Sequence, residues 1–134
     1  MAIEFDPLIG GLRTVLDLRL QQHALTASNL ANADTPGFKA KVIDFQKVLA
    51  EAVHGAGELR TTDPRHLQPG GADLHDDPPV LEIEPPPWAL DGNSVLPERE
   101  TARLTENSMM YDAVARGLQR KLAMLRYAVS DGRG

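Results

Sequence analysis

The stretch 27-ASNLANADTPGFKAKVIDF-45 decides how this chain is folded. It opens as the small, polar tail of a helix, turns through Pro36-Gly37, and leaves as an alternating basic and apolar run. Thr35-Pro36-Gly37-Phe38 has the composition of a type II turn: Pro presets φ at the second position, and Gly supplies the positive φ that the third requires. Gly or Pro alone would stop a helix. Here a polar set, Asn29, Asn32, Asp34 and Thr35, precedes them. Asn29 and Asn32 fall a turn apart at the helix end, where side-chain amides bond loose backbone groups or reach across to a neighbour.

Upstream of this corner, Ile9, Leu12, Leu16, Leu20, Ala24, Ala27 and Ala31 recur at spacings of three and four, one stripe along a helix from about Leu8 to Ala31. Asp6 can serve as its N-cap, with Pro7 at the first helical position, where a missing N–H costs nothing. Gly10 and Gly11 each weaken the first turn by roughly 1 kcal/mol relative to Ala, so the helix starts softly.

A second stripe lies at the other end of the chain: Leu104, Tyr111, Val114, Leu118, Leu122, Leu125 and Val129. Its steps of seven, three and four drift as a 3.6 period does, which describes a broad packing face rather than a strict dimeric zipper. Glu98, Glu100 and Glu106 come early in this helix and Arg120, Lys121 and Arg126 late, as the macrodipole favours. Pro97 stands where the helix can begin, and Gly132 and Gly134 where it has ended.

The segment "DFQKVLAEAVHG", 44–55, reads as a short third helix with Phe45, Val48, Leu49 and Ala52 on one side. Residues 55–97 hold most of the prolines and glycines. Two short strand-like pieces stand out there, Val80 to Glu84 and Trp88 to Leu90, and Pro85 to Pro87 favour an extended polyproline path.

The fold class expected is therefore mainly α: two long terminal amphipathic helices pairing as a coiled-coil-like hairpin, with a Pro/Gly-rich, partly extended or disordered middle. The chain divides into 1–31 (first helix), 32–54 (turn, extended segment and short helix), 55–97 (irregular region) and 98–134 (last helix). Two such stripes cover one another only in part, and helices of this kind bury the remainder against neighbours, identical or similar ones being the economical choice.

Composition narrows the function. The chain has 134 residues and a net charge of −5, which argues against nucleic acid as the main partner. No run of about 18 apolar residues offers a membrane span, and Glu4 and Asp6 stand where a cleaved signal would be basic. With no cysteine there is no thiolate nucleophile or zinc-thiolate site. His23, His54, His66 and His75 match no zinc spacing, so no metal is expected. Glu82 and Glu84 read as a solvated face, and no serine has a nucleophile-elbow context. Nothing in the sequence reads as an active site, so neither an enzyme nor a cofactor is expected, and no small-molecule substrate either.

"NLANADTPGFKAK" resembles the signature near the N-terminus of bacterial flagellar rod and hook proteins, of the form N-[IL]-A-N-x-x-T-P-G-[FY]-K. Asn29, Leu30, Ala31, Asn32, Thr35, Pro36, Gly37, Phe38 and Lys39 match it. "DGNSVLPERE" is similar to the family's DGNNV…E pattern before the last helix, through Asp91, Gly92, Asn93, Val95 and Glu100, with Ser94 and Pro97 as departures. "LRTTDPRHL", 59–67, and the ending "ENSMMYDAVARGLQRKLAMLRYAV" are most like the FlgB-type proximal rod subunits.

The resemblance implies a structural rod subunit of the flagellar basal body, a periplasmic structure, exported from the cytoplasm by the flagellar type III apparatus and transmitting torque. Its partners would be other rod subunits, copies of itself, and the membrane-ring and export-gate end of the motor. It also implies an assembly joint at Asn29, Asn32, Thr35, Pro36, Gly37 and Phe38. Leu12, Leu16, Leu20, Tyr111, Val114, Leu118, Leu122 and Leu125 would be helix-interface residues, and Phe5 with Ile9 a candidate export element. The residues alone leave two alternatives: a soluble helical adaptor or secretion chaperone binding an amphipathic partner, and a small metallohydrolase on His66, His75 and Asp77.

Overall fold

In chain order the elements are α1 (Pro7–Ala31), β1 (Lys41–Ile43), α2 (Phe45–Gly57), β2 (Val80–Glu82) and α3 (Pro97–Val129). They come from a computed structural model, which describes residues 7–57 and 78–130. Asp6, Phe5, the "LRTTDPRHL" segment, Gly70, Gly71, His66, His75, Asp77, Gly132 and Gly134 lie outside the described residues.

The fold is mainly helical, with α1 and α3 packed along each other. Their 25 and 33 residues correspond to rods of roughly 37 and 50 Å. Two polar ties give the direction. Asn107 bonds Arg19, whereas Glu100 bonds Asn29 further along α1, so the helices run antiparallel. Twelve residues back from Arg19 is Pro7, and twelve on from Asn107 is Gln119, so the last turns of α3 extend past the described start of α1.

α3 begins at Pro97, after an extended Leu96 that offers no side-chain cap. Glu98 and Glu100 in the first turn and Arg126 in the last suit the helix dipole. α2 continues two residues past the expected Gly55, to Gly57. Of the face expected for α2, Val48 is buried and Phe45 half-buried, while Leu49 and Ala52 are exposed.

β1 and β2 pair antiparallel, Lys41 opposite Glu82, Val42 opposite Leu81 and Ile43 opposite Val80. The first expected strand piece is therefore a strand. The second is not: Pro87 and Trp88 form a turn, closed by a bond from the Ala89 N–H to the Pro86 carbonyl, and Gly92 N–H returns to Ala89. Three consecutive prolines supply no ladder donors, so the chain bends there instead of pairing.

The buried apolar cluster is small: Leu18 from α1, Ile43 from β1 and Val48 from α2, with Leu25 and Phe45 packed against it. It joins α1 to the β1–α2 segment, and no residue of α3 belongs to it. Ile9, Leu12 and Leu16 of the apolar stripe are buried or half-buried, but from Leu18 on the inward line of α1 departs from that stripe. Leu18, Gln22, Thr26 and Asn29 are buried, at steps of four, four and three, while Leu20, Ala24, Ala27 and Ala31 are exposed. The polar members of the inward line are buried because Gln22, Thr26 and Asn29 each have a backbone or side-chain partner.

Candidate functional site

The joint grows from the turn that ends α1. Phe38 N–H bonds the Thr35 carbonyl at 3.2 Å across Pro36 and Gly37, and Gly37 has φ +73°. That closes the type II turn expected from the sequence. Asn32 stays local: its Nδ2 donates to the Ser28 carbonyl at 2.8 Å, and its Oδ1 accepts from Thr35 Oγ1 at 3.1 Å. Thr35, Pro36 and Gly37 are exposed, and Phe38 is half-buried.

Asn29 behaves differently. It is 1% exposed, and its amide faces the backbone of β1. Oδ1 accepts the Lys41 N–H at 2.9 Å, while Nδ2 donates to the Lys41 carbonyl and to Glu100 Oε2, both at 2.9 Å. Glu100, also 1% exposed, bonds Arg103 through its other carboxylate oxygen. A buried carboxylate is tolerated only when its lone pairs are met, and here one amide and one guanidinium meet them.

Two helix turns earlier, Gln22 Oε1 accepts the Ile43 N–H at 2.8 Å, and its Nε2 donates to Thr26 Oγ1 at 3.0 Å. The strand explains why. Ile83 N–H bonds the Ala40 carbonyl and Asp44 N–H the Pro79 carbonyl, so alternate residues of β1 face β2 with their backbone groups. Lys41 and Ile43 turn theirs the other way. Asn29 and Gln22 occupy that side, closing with side chains an edge that would otherwise be open.

From the far side, "DGNSV" closes the joint. Asn93 Nδ2 lies 2.8–2.9 Å from the carbonyls of Asn32, Ala33 and Thr35, and its Oδ1 accepts the Val95 N–H at 2.7 Å. One side chain thus gathers three carbonyls just past the end of α1, of which those of Asn32 and Thr35 also accept a backbone N–H. Gly37 N–H bonds the Asp91 carbonyl at 2.7 Å, Ser94 N–H the Phe38 carbonyl at 3.0 Å, and Ser94 Oγ accepts the Ala40 N–H at 2.8 Å. Gly92, at φ +71°, brings its would-be Cβ position to 3.7 Å from the Gly37 Cα, so the two positive-φ glycines face each other.

Further along the helices, Asn107 Nδ2 donates to the Arg19 carbonyl at 2.7 Å, and the Arg19 guanidinium lies 4.2 Å from the centre of the Phe45 ring. At the surface Lys39 Nζ and Glu84 Oε1 are 2.7 Å apart. That hydrogen bond raises the Lys39 pKa above its ordinary value; desolvation opposes it, and the charges of Glu84 and Glu82 add to the rise.

Of the helix residues singled out in the sequence, Leu12, Leu16, Tyr111, Val114 and Leu118 are half-buried, and Leu20, Leu122 and Leu125 are exposed. Ile9 is buried in the first turns of α1. The sequence reading matched Asn93 and Asn107 without assigning them a role, gave Glu100 only a part in complementing the helix dipole, and passed over Gln22 and Thr26. Their one signal was helical spacing from Asn29, a polar line that apolar periodicity does not detect. Among the described residues no three His, Cys, Asp or Glu side chains converge as metal ligands, and no helix is long and apolar enough to cross a membrane.

Comparison with known proteins places this geometry in a family. The family described as flagella basal body rod protein matches residues 16–39, the second half of α1 together with the turn. The flagellar basal body rod protein FlgB of Aeromonas hydrophila is 36% identical over 132 residues, covering 96% of this chain and 97% of that protein. FlgB of Cereibacter sphaeroides (strain ATCC 17029) is 37% identical over 125 residues, 93% of this chain and 95% of its own. FlgB of Escherichia coli K12 is 32% identical over 120 residues, 83% and 84% of the two chains. With both the turn and nearly the full length shared, the chain belongs to the FlgB family of flagellar basal body rod proteins.

Proposed function

We propose that this chain is a structural, non-enzymatic subunit of the flagellar rod that assembles with other rod components in the periplasmic part of the basal body. The observation that carries the reading is a contrast within one molecule. The joint satisfies its polar groups almost completely, while Leu20, Leu122, Leu125 and Val129 of the two long helices stay exposed. An elongated pair with a rigid end and uncovered apolar faces suits a part that finishes burying itself against neighbours.

In that setting the joint, Asn29, Asn32, Thr35, Pro36, Gly37 and Phe38, holds the helix ends in one register, so that torsion on α1 passes to α3 through β1 and Glu100. The interface residues are Leu12, Leu16, Leu20, Tyr111, Val114, Leu118, Leu122 and Leu125. Export in an unfolded form through the type III apparatus is part of the reading. Ile9 is buried once α1 forms, so an export element using Phe5 and Ile9 would be read before folding.

The test is localisation in a flagellated cell. An epitope inserted at Gly70-Gly71 leaves both helices intact; motility is checked, and basal bodies are purified and probed. Recovery of the epitope in the rod is the expected result. A functional tagged protein found wholly in the cytoplasm would favour the adaptor or chaperone alternative and reject the rod reading.

A further inference from the structure

Among the described residues, one buried side-chain polar atom has no hydrogen-bond partner: Arg19 Nε. Nη1 of the same group has only Asn107 Oδ1, at a long 3.5 Å, and no carboxylate of the described residues bonds it. The guanidinium is held in place all the same, its carbon 4.2 Å from the centre of the Phe45 ring. A guanidinium stays charged and carries five N–H donors, so a fixed one so short of acceptors lacks its anion.

That group lines a hollow of about 220 Å³ between α1, β1, α2 and α3, with Val42 and Phe45 as its apolar wall. Arg103 lines it too. One Arg103 nitrogen bonds Glu100, and the others have no acceptor among the described residues. Two carboxylates stand close. Glu100 is taken up by Asn29 and Arg103, whereas exposed Glu106 lines the hollow and bonds neither arginine. They limit the charge that the hollow can take. A dianion such as phosphate would face both, but a monocarboxylate matches the flat guanidinium fork and leaves an apolar body for Val42 and Phe45. At roughly 30 Å³ per water, the hollow offers the room of about seven. That suits a short-chain acid or the tip of an acidic side chain.

We propose that this hollow is a carboxylate site, with Arg19 as its anchor and Arg103 as its second donor. The carboxylate takes the Arg19 donors that the fold leaves without an acceptor, and its carbon chain lies on Val42 and Phe45. Glu106 opposes it by charge and tunes it. The site is a property of the single chain, so it holds or fails independently of the rod reading.

The probes are propionate and a blocked tripeptide, acetyl-Ala-Glu-Ala-amide, titrated at constant ionic strength into the isotope-labelled full-length chain. The readout is the Arg19 Nε–H signal in a nitrogen–proton correlation spectrum, identified by its loss in R19K. It should shift and saturate with Kd on the order of a few millimolar, as a ligand of so few atoms allows. Propionamide, equal in shape and uncharged, should leave it in place. E106Q removes an opposing charge at an exposed position and should tighten binding about threefold. R19K keeps the charge but loses the fork, and should weaken binding about tenfold, read from the line broadening of propionate itself. Circular dichroism checks that both variants keep their helix content; E106Q alone decides should R19K fail to fold. Tighter binding of the peptide names an acidic side chain of a partner protein as the natural ligand, and tighter binding of propionate names a free acid. An Arg19 signal that moves no further than that of exposed Arg116, an equal response to propionamide, or binding unchanged in E106Q would overturn the proposal.

Discussion

Replacing Asn29 by Ala should destabilise this protein far more than the same change three residues on, at Asn32. Asn29 makes three hydrogen bonds in a buried setting: two to the Lys41 backbone and one to the Glu100 carboxylate, all at 2.9 Å. A neutral bond contributes about 1 kcal/mol net and one to a charged group about 1.5–3 kcal/mol, and the buried partners left behind gain no water in exchange. The loss is therefore roughly 3–5 kcal/mol. Asn32 makes its two bonds in an exposed place, where water substitutes readily, and its removal should cost at most about 1 kcal/mol.

Urea unfolding followed by helical circular dichroism measures both. With a slope of roughly 1–1.5 kcal/mol per molar for a chain of this size, N29A should move the midpoint down by about 3 M, or abolish the transition, and N32A by under 1 M. Amide exchange locates the effect: the Lys41 N–H should lose protection in N29A by a factor on the order of a hundred or more. A loss below about 1 kcal/mol in N29A, or equal losses in the two variants, would refute the view that this amide holds the helices and strand together.

The remaining expectations concern the same frame. G37A places a Cβ in open space but keeps φ at +73°, so its cost is backbone strain alone, about 1 kcal/mol by thermal unfolding; a loss above about 3 kcal/mol would mean the turn is crowded. E84Q removes the carboxylate charge behind the hydrogen bond that raises the Lys39 pKa, leaving at most a neutral amide acceptor. A raised pKa in the folded state stabilises below the unfolded value and is lost as pH climbs through the folded one, so E84Q and the parent should differ least above pH ~11. Both partners are exposed, so the melting temperature at neutral pH should barely move, and a drop of several degrees would contradict the surface assignment. The double change L122S/L125S should leave the isolated chain within about 0.5 kcal/mol of the parent, yet abolish motility; motile cells would remove these residues from the proposed interface.

Much of this architecture was legible from local chemistry. The Pro-Gly turn, both long helices, the short helix after Asp44 and the strand at Val80 each follow from a few neighbouring residues, and each stands where its local signals put it. The second strand piece, Trp88–Leu90, did not form, because hydropathy alone cannot weigh three prolines without donors against a partner strand that is absent among the described residues. Within the joint, Asn29 and Asn32 looked equivalent in sequence. One is buried against a strand and the other caps its own helix, a distinction set by the direction each side chain leaves the helix.

What the sequence determined by itself is therefore most of the elements, with their ends to within about two residues. Helical period and turn residues act over a handful of positions, and the chain carries both. The tertiary structure decided which face of α1 turns inward. The apolar line through Leu20, Ala24, Ala27 and Ala31 is the stronger signal, yet Leu18, Gln22, Thr26 and Asn29 are the buried side chains. The reason lies in β1: its outward N–H and C=O groups need partners, and only side chains from residues distant along the chain can reach them. Polar groups buried for that purpose leave Leu20, Ala24, Ala27 and Ala31 exposed.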